Sequence, residues 1–354
     1  MVRSLWLVIC TLILWGGCSK EGEQRPSPVL PEGAFRPVPA EEKPVTSPPE
    51  PQPPPEAVKQ PTEPEPHQPS PPARNPEREP PQKEAKKALN EALAEPDIQK
   101  RTILLKKVVE TYPDHEEFYD ASEALSEAYA TSGELFDAAK TLSAAYLKSD
   151  NEEKRKKWAL KMDEWNKKIF FSFTETPISQ VYVVQAGDVL TKIGADFNVP
   201  YRFIMRINNI KDERKLNIGD RLKIPAPKGK KMEAFVQVDK SEHSLSVFIN
   251  GLFLKRYAVG LGKDDRTPEG EFTIMSKVNK PSWKGKPYGD PENIIGDWWL
   301  GFDETKFKGL GIHGTNDPTS IGKDVSEGCV RLTNEDVDEL ANTIPLNSKV
   351  IIRK

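Results

Sequence analysis

One histidine and one cysteine, His313 and Cys329, stand 16 positions apart near the end of a 354-residue chain. His313 lies in Ile312-His313-Gly314-Thr315 and Cys329 in Ser326-Glu327-Gly328-Cys329-Val330-Arg331. Each has a glycine beside it and an apolar neighbour able to anchor a strand end. A thiol attacks only as its thiolate, so it needs a base or a positive field close by. Here His313 is the candidate general base and acid, and Cys329 the candidate nucleophile. Gly328 lets backbone come close to a substrate. Arg331 carries a planar fork suited to a carboxylate, and Ser326 is a second candidate for holding substrate. The remaining histidines, His67, His115 and His243, fall in a linker, a helix connection and a loop before a strand, so none competes. One His and one Cys are too few for a structural zinc site, and no metal is expected. The bland alternative is a buried cysteine acting as a small hydrophobe.

The elements that must position this pair are strands. From Met232 the apolar residues alternate with period two: Phe235, Val236 and Val238, then Leu245, Val247 and Ile249. Asn250-Gly251 is a strong hairpin signal before Leu252 to Val259 returns. Thr267 to Gly270 reads as a turn, with Phe272 and Ile274 in a following strand. Gly309 to Ile312 and Val350 to Ile352 complete the expected set. Thr333 caps the one clear helix, to Ala341, with Asp336 three residues on. Trp283, Trp298 and Trp299 are expected to cover the core rather than line a cleft. Residues 232–354 therefore read as a mostly β domain.

Ile312-His-Gly-Thr315, Ser320-Ile-Gly322 and Ser326-Glu-Gly-Cys-Val-Arg-Leu-Thr-Asn334 resemble the signature of the L,D-transpeptidase (YkuD-type) family, as do Thr267 to Phe272 and Trp299-Leu-Gly301 upstream. The resemblance implies a Cys–His acyltransferase without cofactor. It also implies that the Gly314 carbonyl orients His313 and that the Gly328 and Cys329 N–H groups face the oxyanion. Such a donor is typically worth ~3 kcal/mol. Glu327 departs from the family, since many members have a second histidine there. Arg331 departs too, where some have asparagine.

Residues 180–226 read as strand, helix, helix, strand, with Asp188 able to cap the first helix and Asn208-Asn209 ending the second. Tyr182-Val-Val-Gln-Ala-Gly-Asp188, Leu190, Ile193, Phe197, Ile207-Asn208 and Ile218 to Pro225 are similar to a LysM domain. That family binds N-acetylglucosamine strands, which implies sugar contacts around Gly187, Asp188, Asn208 and Asn209.

Residues 83–172 follow helical periodicity, with small residues at Ala121, Ala124, Ala128 and Ala138. The helix–turn–helix units are similar to tetratricopeptide repeats. Trp158, Met162, Trp165 and Ile169 form a stripe expected to be a packing seam. A protein partner for this region is left open.

The N-terminus differs from all of this. Residues 1–17 have a basic start, a short apolar core and Gly16-Gly17 before Cys18, which marks a secretory signal with Cys18 as the expected lipidation site. The apolar core is shorter than the ~20 residues of a membrane span. Residues 18–82 carry 21 of the 33 prolines, from Pro26 to Pro81, and almost no large apolar residues, so a disordered linker is expected. In polyproline II form it would reach on the order of 100–200 Å.

The net charge of -3 and the lack of a basic stripe argue against nucleic acid. The whole therefore reads as an exported, lipid-anchored envelope enzyme. Its expected partners are a membrane, through the anchor, and peptidoglycan, through stem peptides and glycan strands. The expected reaction is peptidoglycan L,D-transpeptidation giving 3–3 cross-links through a cysteinyl acyl-enzyme. The alternatives are an L,D-carboxypeptidase, a lipoprotein-to-wall ligase or hydrolase, and a non-catalytic wall-binding tether.

Overall fold

The computed structural model describes residues 81–303 and 307–354. The expected signal, Cys18 and nearly all of the linker lie outside the described residues. Among the described residues five helices come first: α1 (Pro81–Ala94), α2 (Ile98–Thr111), α3 (Glu117–Thr131), α4 (Leu135–Lys148) and α5 (Glu152–Ile169). Side-chain caps start two of them: Asp97 accepts from Lys100 N–H and Asn151 from Lys154 N–H, satisfying amides that have no helical partner. Among the described residues no helix is long and apolar enough to cross a membrane.

A small module follows: β1 (Gln180–Val183), α6 (Leu190–Phe197), α7 (Tyr201–Ile207) and β2 (Arg221–Ile224). β1 and β2 pair antiparallel. The helix cap expected of Asp188 does not form. α6 starts from Val189 without a side-chain cap. Asp188 instead accepts from the Tyr182 hydroxyl at 2.6 Å and the Gln185 N–H at 2.8 Å, closing the turn around Gly187, whose φ is +83°.

The last domain contains β3 (Ala234–Asp239), β4 (Ser244–Ile249), β5 (Leu252–Ala258), β6 (Leu261–Gly262), β7 (Gly270–Asn279), β8 (Ile295–Phe302), β9 (Gly311–Thr315), β10 (Asp324–Ser326), β11 (Val330–Arg331), α8 (Asn334–Thr343) and β12 (Lys349–Arg353). Eight strands form one mixed sheet in the order β11-β9-β8-β7-β12-β3-β4-β5. The hairpin between β4 and β5 turns through Asn250 and Gly251, both at positive φ, as its type requires. β8 was not legible as a strand, because Gly296, Asp297 and Gly301 break the alternation. It nevertheless lies between β7 and β9.

The helical stripe meets this sheet. Trp158 and Met162 join Leu142 and Tyr146 in a cluster with Phe248 and Phe253 of β4 and β5. The contact is also polar. Tyr146 Oη lies 2.7 Å from Ser246 Oγ, and Asn166 Nδ2 donates to the Phe253 and Leu254 carbonyls. β5 would otherwise be a bare sheet edge, which invites unwanted pairing. At the rim of the contact, buried Arg155 pairs with Asp239 at 2.5 Å and with Glu242 at 2.9 Å.

Removing one partner from a buried ion pair leaves charge without compensation, a loss of roughly 3–5 kcal/mol. Here Arg353 also holds Asp239 and Arg256 also holds Glu242, which points to the lower end. Arg155→Ala is therefore expected to lower unfolding stability by about 3 kcal/mol in a denaturant titration. A loss under about 1 kcal/mol would show that the two carboxylates are satisfied without it.

Candidate active site

Two rungs of parallel pairing bring the histidine and cysteine segments together. Val330 pairs with Ile312 and Arg331 with His313. Leu332 N–H donates to the His313 carbonyl at 2.9 Å and prolongs the ladder. On its other side Arg331 exchanges both backbone hydrogen bonds with Gly260. β11 is thus held from both flanks, and Cys329 sits immediately before it.

His313 and Cys329 are both buried and both line a cavity of about 320 Å³, together with Ser326, Glu327, Arg331 and Trp283. The His313 Nδ1 lies 2.5 Å from the Gly314 carbonyl oxygen. A carbonyl only accepts, so Nδ1 carries the proton and Nε2 keeps its lone pair. The Trp299 ring stacks on the imidazole, 5.9 Å between centroids. Gly314 is required here. A Cβ on it would stand 2.3 Å from Asn334 Oδ1, which accepts from the Asp297 N–H.

The thiol of Cys329 donates to the Gly309 carbonyl at 3.5 Å. Burial pushes it up to about 11, against a backbone hydrogen bond from Gly311 and the charge of Arg331. Burial pushes His313 down to about 4; its Gly314 partner opposes this and Arg331 adds to it. The resting pair is therefore neutral thiol and neutral imidazole at neutral pH, since burial disfavours both charged forms.

The loop before the cysteine is more tightly organised than its sequence suggests. Ser326 Oγ donates to the Cys329 carbonyl at 2.7 Å and accepts from the Gly328 N–H at 3.1 Å. The Gly328 N–H, expected to face an oxyanion, is thus spent on Ser326. The Ser326 hydroxyl, expected to hold substrate, is spent within its own loop. Gly328 has φ +136°, a region that favours glycine. Thr267 Oγ1 donates to the Gly328 carbonyl at 3.0 Å and accepts from the Gly262 N–H at 2.8 Å. Glu327 is held by Lys263 at 2.8 Å and by Arg266, so its carboxyl lies below the usual range, chiefly through the Lys263 hydrogen bond. This gives Glu327 a role: it ties the cysteine loop to residues 263–267.

Arg331 lines the cavity, and its buried Nε has no hydrogen-bond partner among the described residues. Trp283, expected to cover the core, lines the cavity instead, whereas Trp299 is buried against His313. Thr267, Lys263, Arg266 and Asn334 escaped the residue-level reading, although Thr267 opened one sequence block and Asn334 closed another. Among the described residues no cluster of three or more His, Cys, Asp or Glu could hold a metal ion.

The expected sugar contacts are divided. Gly187 and Asn209 are exposed, and Asn209 has φ +55°. Asn208 and Asp188 are turned to internal work. The Asn208 amide donates to the Ile204 and Lys223 carbonyls and accepts from the Lys223 N–H.

The YkuD family model, described as L,D-transpeptidase catalytic domain, matches residues 233–352, and the LysM domain model matches residues 182–225. YqjB of Bacillus subtilis (strain 168), named as an L,D-transpeptidase, is 41% identical over 125 residues, which is 34% of this chain and 71% of that protein. YkuD of the same organism, named likewise, is 34% identical over 175 residues, covering 49% of this chain and 98% of that protein. The chain belongs to the L,D-transpeptidase family. A solved L,D-transpeptidase from Mycobacterium smegmatis overlaps it more loosely, at 20% identity and a TM-score of 0.30, over 39% of this chain and 65% of that one. The transpeptidase domain thus carries His313 and Cys329 in one cavity, behind a LysM domain and a helical region.

Two outcomes follow from this geometry. Thr267→Val leaves the Gly262 N–H and the Gly328 carbonyl without the hydroxyl, and is expected to lower stability by about 1–3 kcal/mol in denaturant. Imidazole titration has a defined sign. His313 falls from 6.5 to about 4 in the folded state, so the unfolded chain binds more protons between those values. This contribution is complete above 6.5 and is lost as pH falls through 4. His313→Gln should flatten the fall in melting temperature across that window, and an unchanged slope would contradict the assignment.

Proposed function

We propose that the protein is a peptidoglycan L,D-transpeptidase that forms 3–3 cross-links through a cysteinyl acyl-enzyme. The observation that carries this reading is the cavity shared by Cys329, His313 and Arg331 in a chain of this family. Cys329 Sγ attacks the carbonyl between an L-centre diamino acid and the D-alanine that follows. His313 Nε2 takes the thiol proton during attack, because the neutral resting pair gives no thiolate beforehand. The same proton passes to the departing D-alanine amine, leaving a thioester. A side-chain amine of a second stem attacks the thioester, Nε2 accepts its proton, and the thiol is restored. Arg331 holds a stem carboxylate by its fork. Gly314 orients the imidazole through its carbonyl. The Cys329 N–H is the oxyanion donor we favour; the Gly328 N–H joins it only on release from Ser326.

The LysM domain, through exposed Gly187 and Asn209, binds glycan and raises the local concentration of substrate. The N-terminal segment acts as an export signal and Cys18 as a lipid anchor, which places the enzyme in the cell envelope with residues 18–82 as a tether. The helical region keeps its tetratricopeptide-like reading, with the α5 seam already occupied by the sheet.

The purified protein, incubated with muropeptides and read by mass spectrometry, is expected to yield cross-linked dimers. Tripeptides without dimers would instead assign a carboxypeptidase, and no change in either would overturn both. Cys329→Ala should abolish turnover and leave glycan binding intact. The acid limb of kcat/KM should lie near 4, below the ordinary imidazole value of 6.5. A limb at the ordinary value would mean that the imidazole is solvated in the working enzyme.

A further inference from the structure

Between the LysM and transpeptidase domains lies a second cavity, of about 530 Å³, which neither domain possesses by itself. α7 supplies Tyr201 and Arg202, while β7 and β8 supply Lys277, Asn279 and Trp298, and α8 supplies Asn342. The walls are fixed relative to one another. Arg206 of α7 pairs with Glu339 of α8 at 2.8 Å, and Glu339 also takes Lys255 of β5 at 2.5 Å. One hydrophobic cluster runs without a break from Ile193, Phe203 and Ile204 to Val337, Leu340 and Ala341. The Met232 N–H donates to the Phe197 carbonyl across the junction. A ligand therefore meets a preformed site, with little ordering cost on binding.

The lining has a distinct chemistry. Trp298 is half-buried, and its Nε1 donates to Asp338 at 2.8 Å, which fixes the indole plane. Tyr201, also half-buried, lines the same groove. Lys277 is half-buried, its Nζ donates to the Ile344 carbonyl at 2.8 Å, and it pairs with no carboxylate among the described residues. Burial holds that ammonium down to about 8. Its remaining protons, with the amides of Asn279 and Asn342, suit hydroxyl and acyl carbonyl oxygens. The aromatic rings suit the C–H face of a sugar, an apolar body with a polar rim.

We propose that this groove is a second carbohydrate site, which takes an N-acylated hexosamine segment of the glycan strand. The proposal rests on the peptidoglycan reading and adds a composite site outside the LysM loops around Gly187 and Asn209. Lys277 and Asn279 hold the acyl carbonyl and hydroxyls, and Trp298 stacks on the ring. The site couples the two domains, because a strand lying in it touches both.

The test is calorimetric titration of the full chain with a soluble N-acetylglucosamine tetramer, for wild type, Trp298→Ala and Lys277→Met. Two binding sites are expected in wild type. In each variant the second is weakened about tenfold or lost, which corresponds to about 1.4 kcal/mol. Thermal melts and Cys329 alkylation confirm that the variants are folded. Folded variants that bind like wild type overturn the proposal, as does a wild type with one site or none. Turnover of a free tetrapeptide stem is measured in parallel. It needs only the Cys329 cavity, so its loss in wild type would refute the proposed function, whereas its persistence without tetramer binding would refute the groove alone.

Discussion

The site depends on two rungs of parallel pairing, Val330 with Ile312 and Arg331 with His313. Parallel strands need a crossover between them, and here it runs from Asn316 to Cys329. The 3–10 turn at Pro318–Ser320 and the short strand β10 use that length to carry the chain across to β6 and back. Without this pairing the imidazole and the thiol belong to separate surfaces. With it, both line one cavity, and Arg331 enters the same space from the next position along the strand.

Burial then sets the chemistry. Both groups of the pair are withdrawn from water, which disfavours imidazolium and thiolate alike. The resting protein accordingly holds its thiol proton against the Gly309 carbonyl rather than giving it to the histidine. Proton transfer is left to the moment of attack, when developing charge has an acceptor in Nε2. The cysteine loop is kept in its unusual backbone conformation by Ser326 from within, by Thr267 from the neighbouring turn, and by the ion pairs of Glu327 at the rim. Of these, the hydrogen bonds are buried and carry more weight than the half-exposed charges, which water and salt screen.

The helical region is not an appendage. Its apolar stripe covers the β4–β5 edge, and Asn166 caps carbonyls that a bare edge would show to solvent. The LysM domain is likewise joined to the transpeptidase domain through a continuous apolar core and the pairing of Arg206 with Glu339. Three sequence units thus act as a connected body, with the groove as its consequence.

Local features were legible in the sequence because neighbouring residues decide them. The Asn250-Gly251 hairpin, the Thr333 cap and the glycine-flanked histidine and cysteine blocks are of this kind, whereas the role of the Gly314 carbonyl toward His313 was implied only by the family resemblance. Strand β8 was hidden because its glycines and Asp297 erase the alternation, and its strand character comes from the neighbours on either side. The partners of Glu327, the inward turn of Ser326, the exposure of Trp283 to the cavity and the disposition of Asp188 and Asn208 all depend on which distant segments arrive beside them. Tyr146 and Ser246 lie 100 residues apart and still meet at 2.7 Å. Such pairs follow from how faces pack, and hydrophobic periodicity states only that a face exists. The sequence by itself determined which residues were equipped for thiol chemistry and in what order they came. Only the tertiary structure decided their protonation, their orientation and the company they keep, because each of these is set by burial and by contacts across the sheet.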